Sequence, residues 1–163
     1  MFIKIIMRFH MKIWIVYDSN FGHCKKVAET ISDVLEGEYD THVGFAKKIL
    51  PEDVISEAPN AIIIGGPIYF GYPSRTIVNW IKKFYQVTKK LGTPIKKGAA
   101  FYTWSFTPKH ELQWQKLFQK FPFASEFFPQ VLSIKVNPSI PLLNPEECTQ
   151  VNNFGEKLKQ FLS

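Results

Sequence analysis

The sequence predicts a doubly wound α/β domain, a five-stranded parallel sheet held between helices as a three-layer α/β/α sandwich. Short β-branched and aromatic runs alternate along the chain with stretches whose apolar residues recur at helical spacing. The best strands are apolar at consecutive positions, as in sheets covered on both faces. Parallel neighbours need crossover connections, and the intervening helices supply them.

Lys12–Tyr17 (KIWIVY) reads as the first buried strand and stops at the turn cluster Asp18-Ser19-Asn20-Phe21-Gly22. Val27, Ile31, Val34 and Leu35 then mark one face of a helix. Asp40–Phe45 alternates weakly, like an edge strand, and Pro51–Glu57 suits a short helix with proline in its first turn. Ala61–Ile64 is a second buried strand ending at Gly65-Gly66-Pro67, followed by a helix starting near Pro73-Ser74. Ala99–Trp104 reads as a strand, Pro108 as the opening of a helix carrying Leu112, Leu117 and Phe121, and Val131–Val136 as the last strand. A proline-rich loop leads to a final helix with Val151, Phe154, Leu158, Phe161 and Leu162 on one side.

Residues 12–163 are therefore expected to form one domain. The stretch 1–11 is read as a short N-terminal extension or a misplaced start: MFIKIIMRFH is interrupted by Lys4 and Arg8 and lacks the cleavage site of a signal peptide. The 163 residues, 45% hydrophobic and 21% charged, suit a single core and exclude a disordered tail or a membrane-spanning protein. Two cysteines, without CxxC or zinc spacing, exclude a disulfide scaffold and point to the reducing cytoplasm. The net charge of +6 is concentrated in residues 58–125, where Arg75 and nine lysines face Glu111 alone. Such a patch is a solvated helix face or a docking surface for an acidic protein or an anionic membrane; nucleic acid is set aside, because no fold signature for it accompanies the lysines.

Ligands of open α/β sheets bind beyond the carboxyl ends of the strands. Three loops qualify. In the first, Ser19, Asn20, Phe21, Gly22, His23 and Cys24 lead from a strand into a helix start, where free N–H groups and the helix dipole favour an anion. It is neither a Walker loop nor a GxGxxG fingerprint, and an ordinary capped helix start is the alternative. The second, Gly65 to Ser74, combines rigid Gly and Pro with Tyr69, Phe70 and Tyr72, flat faces suited to stacking a planar heterocycle. In the third, Tyr102 or Trp104 can wall the site with Thr103 and Ser105 beside it, or the aromatics belong to the core.

From Lys12 to Ser163 the chain resembles the flavodoxin family. KIWIVYDSNFGHCKKVAETI is similar to its phosphate-binding signature, with Ser19, Phe21, Gly22 and Cys24 at the positions of Ser-x-Thr-Gly-x-Thr. GGPIYFGYPS resembles the second flavin loop, including Pro67, Ile68, Tyr69, Phe70 and Gly71. The resemblance implies FMN as ligand, strand order 2-1-3-4-5, and the short-chain branch, without a long insertion in the final strand. Two departures stand out. Cys24 and Phe21 replace hydroxyl residues, which implies looser FMN binding unless backbone N–H groups dominate. Cys24 at a helix start is either a reactive thiol of lowered pKa or a small space-filling residue.

The functional expectation is an FMN-binding electron carrier working with a redox partner that presents an acidic docking surface. The alternative is an FMN-dependent oxidoreductase acting on a quinone or porphyrinogen, with the apolar stretch Phe121–Pro129 as part of its pocket or of a dimer contact. A binding module with a decayed flavin site is the third reading. Among the scattered histidines His10, His23, His42 and His110, only His23 falls in a site loop, where it can balance phosphate charge.

Overall fold

The computed structural model describes residues 11–106 and 111–163. The helix start expected at Pro108 lies outside them, as do residues 1–10. In chain order the elements are β1 (Lys12–Tyr17), α1 (His23–Leu35), β2 (Asp40–Phe45), α2 (Pro51–Ser56), β3 (Ala61–Tyr69), β4 (Tyr72–Pro73), α3 (Arg75–Leu91), β5 (Ile95–Trp104), α4 (Glu111–Lys120), β6 (Ala124–Phe127), β7 (Leu132–Lys135) and α5 (Pro145–Leu162).

Strands β2, β1, β3 and β5 lie side by side in parallel. The next position is shared: β6 pairs with the first half of β5 and β7 with the second, both parallel. Five parallel positions thus run in the order expected, but the described strands number seven rather than five. One extra strand arises because β3 continues past Ile64 to Tyr69, where the sequence suggested a loop, and folds back as β4. The other lies in the phenylalanine-rich segment. Phe123 and Ala124 are buried there, and Phe127 packs so closely on Gly98 that a Cβ at Gly98 would sit 2.9 Å from its ring. This segment forms an edge of the sheet and part of the core, not a pocket wall.

Strand periodicity divides the core into two layers. Ile13 and Ile15 point to the side covered by α1 and α5, where Val27, Ile31 and Leu35 meet Val151, Phe154 and Leu158. Trp14 and Val16 point to the side covered by α2, α3 and α4, which is filled with Trp80, Phe84, Trp114, Phe118 and Phe123. The ring of Phe101 lies flat on β3 at Gly65, where a Cβ would come within 2.2 Å of it. Only glycine admits that contact. Helix α5 opens with a reciprocal capping box between Asn144 and Glu147, with Pro145 at the first helical position.

Candidate functional site

Because the sheet is parallel, the loops after β1, β3, β5 and β7 all emerge at its carboxyl end. They enclose a cleft of about 330 Å³. Twelve of the fifteen residues singled out from the sequence line it, contributed by all three predicted loops.

The first wall is Ser19 to Cys24. Gly22 N–H donates to Ser19 Oγ at 3.0 Å, and Gly22 takes φ +93°, a conformation glycine adopts without a steric penalty. Gly22 is also the N-cap of α1, and no side chain caps that helix. The first-turn N–H groups therefore keep their hydrogen-bonding capacity where the dipole makes the potential positive. His23 is buried, and its Nε2 donates to the Ile140 carbonyl at 2.6 Å, fastening the loop before α5. Cys24 lies 3.2 Å from Thr103 Oγ1. Burial pushes its thiol up to about 12, the nearby Asp18 charge adds to the rise, and the Thr103 hydrogen bonds oppose it. Desolvation outweighs the helix start and favours the protonated thiol, in keeping with the space-filling alternative.

The second wall is the β3–β4 hairpin, lined by Pro67, Ile68, Tyr69 and Phe70. Its two turn residues, Phe70 (φ +50°) and Gly71 (φ +86°), both lie in the left-handed region, as a type I′ turn requires. Gly suits that turn. Phe does not, and Phe70 is nonetheless held there 97% exposed at the mouth of the cleft. Asn20 Nδ2 donates to Tyr69 Oη at 2.5 Å, joining the first wall to the second. Burial raises the Tyr69 pKa, the Asp18 charge adds to this, and the Asn20 hydrogen bond opposes them.

A second bridge lies deeper. The Asp18 carboxylate, 2% exposed, accepts from Ser74 Oγ at 2.6 Å, and Ser74 in turn caps α3 by accepting from the Ile77 N–H. The other Asp18 oxygen has no hydrogen-bond partner among the described residues. From the sequence, Asp18 was only a turn residue, since its partner is 56 positions away.

Thr103, Trp104 and Ser105 form the third wall. The Trp104 indole N–H donates to Ser133 Oγ at 3.0 Å, and Lys135 Nζ lies 5.4 Å from the ring centroid. Tyr102 does not line the cleft. It points to the opposite side of β5, fully buried in the layer under α3 and α4, because successive strand residues face opposite ways. Gly22 and Gly71 shape the two turns without lining the cleft. Phe106, Val136 and Pro138 complete the lining and were not singled out from the sequence. Val136, the final residue of the last predicted strand, was legible by the same carboxyl-end rule as the other loops.

A family model described as a flavodoxin domain matches residues 14–123. The chain belongs to the flavodoxin family. No curated protein matches it in sequence. Among solved structures, flavodoxin 1 from Bacillus cereus superposes with a TM-score of 0.71 at 16% identity, covering 93% of this chain and 99% of that one. Rubredoxin oxygen:oxidoreductase from Desulfovibrio gigas gives a TM-score of 0.73 at 14% identity, covering 93% of this chain and 36% of that protein. The Flv1 flavodiiron core from Synechocystis gives 0.74 at 12% identity, with coverages of 98% and 37%. This chain thus spans little more than a third of the last two proteins. At these identities the likeness is one of fold.

Proposed function

We propose that the cleft binds FMN and that the protein is a flavodoxin-type electron carrier. The uncapped start of α1, opening into a cleft with aromatic walls, carries this reading. A phosphate set against Ser19–Cys24 meets main-chain N–H groups and the helix dipole. Phe21 and Cys24 offer it no hydroxyl, so the backbone supplies most of the binding. Tyr69 and Trp104, each fixed by a hydrogen bond at its polar tip, are held ready to flank a planar ring. Bound there, FMN supplies a store that takes up electrons singly, while the protein sets orientation and polarity.

The partner suited to this surface is acidic. Helix α3 exposes Arg75, Lys82, Lys83, Lys89 and Lys90 and carries no acid, and among the described residues only Lys83 of these five pairs with a carboxylate, that of Glu52. We place the protein in the cytoplasm, where its free cysteines stay reduced, with residues 12–163 as its functional unit. No described helix is long and apolar enough to cross a membrane. A second reading, an FMN-dependent oxidoreductase for a quinone or porphyrinogen, is favoured by Phe70 and Phe106, which keep the cleft mouth apolar and exposed.

The test is a potentiometric titration of protein reconstituted with FMN. Two separated one-electron steps support the carrier. A single two-electron step with quinone turnover above that of free FMN supports the enzyme. Failure to retain FMN leaves only a binding module.

A further inference from the structure

Of the described residues that line the cleft, His23 alone can take a positive charge; no lysine or arginine is among them. Negative charge is already present behind the walls, where burial and the buried Asp18 carboxylate together raise the pKa values of Cys24 and Tyr69. A phosphate monoester set at the start of α1 adds about two further negative charges. Main-chain N–H groups and the helix dipole stabilise such an anion but neutralise none of it.

The ring of His23, buried in the first turn of α1, is arranged to supply the missing charge. Its Nε2 faces the Ile140 carbonyl at 2.6 Å, and because a carbonyl only accepts, that nitrogen carries the hydrogen. Nδ1 is bonded to the ring carbon that joins the side chain to the backbone, so it is the nitrogen nearer the helix start. It has no hydrogen-bond partner among the described residues. In the neutral ring Nδ1 presents a lone pair, which repels an anion; protonated, it is a charged donor.

Neighbouring groups are already engaged elsewhere. Lys25 and Lys26, further along α1, pair with Glu29. Asp18, at the end of β1, accepts from Ser74, and no carboxylate pairs with His23 among the described residues. Residues 136–143, which supply the Ile140 carbonyl, hold no titratable side chain, and neither do residues 103–106 at the end of β5. Beyond them, Lys135 lies over the Trp104 ring, while Glu146 and Glu147 stand in the first turn of α5, Glu147 in its capping box.

We propose that His23 takes up a proton when a phosphate monoester enters the cleft, and that its Nδ1–H then donates to the phosphate. The proton comes from solvent and returns to it when the ligand leaves. The Ile140 hydrogen bond survives, because Nε2 is a donor in both states, so the ring keeps its orientation. Affinity for the phosphate ligand therefore falls as pH rises. This coupling rests on the reading of the cleft as an FMN site and specifies how that site meets the phosphate charge.

The experiment measures FMN and riboflavin affinity by flavin fluorescence between about pH 7 and about pH 8.5, where a phosphate monoester has largely lost its last proton. Cys24 and Tyr69, both raised by burial, keep their protons in this range. FMN affinity should fall with pH by up to about tenfold per unit, the limit for one coupled proton, while riboflavin affinity stays level. Calorimetry in buffers of different ionisation enthalpy should find net proton uptake on FMN binding. His23→Gln keeps a donor for Ile140 but cannot take a charge. It should bind FMN about tenfold more weakly at about pH 7, with a level pH profile. A level profile or no proton uptake in the unsubstituted protein overturns the coupling and leaves the FMN site in place. So does a slope that His23→Gln retains, since the proton then goes elsewhere. Failure to bind FMN at any pH removes the site and the coupling together.

Discussion

Along the α3 flank every exposed position is polar except Leu91, and the buried residues Ile77, Trp80, Ile81 and Phe84 follow one helical stripe. At the carboxyl end of the sheet the reverse holds: phenylalanines and leucines face solvent, a phenylalanine occupies a left-handed turn position, and a carboxylate is buried with one oxygen unpartnered among the described residues. The flank satisfies local and tertiary requirements together, and its only distinctive property is charge. The cleft end departs from several of them at once, and such departures mark where a fold carries function.

The contrast can be broken by experiment. The largest effect is expected with pH. In the folded protein burial raises the Cys24 thiol from 9.0 to about 12. Below pH 9 both folded and unfolded chains hold this proton, so the contribution is constant. Between pH 9 and 12 the unfolded thiol ionises and the folded one does not, so stability falls as pH rises, by at most about 4 kcal/mol. Cys24→Ser, which keeps a hydrogen-bonding partner for Thr103, should flatten that part of the stability profile in urea unfolding. An unchanged slope would mean that the thiol is not desolvated.

Next in size is the sheet beneath the cleft. Gly65→Ala drives a methyl into the Phe101 ring, and destabilisation by about 3 kcal/mol is expected from the urea midpoint. Ser74→Ala removes the α3 cap and the donor to buried Asp18, at a cost of about 2 kcal/mol. A silent Ser74→Ala would remove the bridge between the two loops from the account.

Phe70→Asn should act in the opposite direction. Asparagine tolerates the type I′ position, so thermal stability should rise by about 1 kcal/mol while an aromatic face is lost from the cleft mouth. The smallest effect belongs to the flank: Lys82→Glu and Lys89→Glu should leave stability within about 0.5 kcal/mol. They should, however, slow association with an acidic partner and weaken its salt dependence.

Much of this was legible because the two periodicities are strong. The run KIWIVY and the stripe Val27, Ile31, Leu35 place β1 and α1 without ambiguity, and the carboxyl-end rule then finds the cleft. Parity was harder. Nothing in FYTWS states that Tyr102 turns into the core while Thr103 faces Cys24; the register with β3 and β7 decides that. Strand β6 hid in a segment whose apolar residues do not alternate, since it borrows burial from Gly98 and the α4 aromatics. The Asp18–Ser74 bridge and the desolvation of Cys24 depend on chain brought together from far away in sequence, and no local pattern reports either.

The most direct test of the central claim compares FMN with riboflavin binding to the apoprotein by flavin fluorescence quenching. If the open start of α1 holds the phosphate, FMN binds and riboflavin binds at least about a hundredfold more weakly, the loss of two or more charge-assisted hydrogen bonds. Equal affinity for the two, or binding of neither, would contradict the assignment of Ser19–Cys24 as the phosphate site.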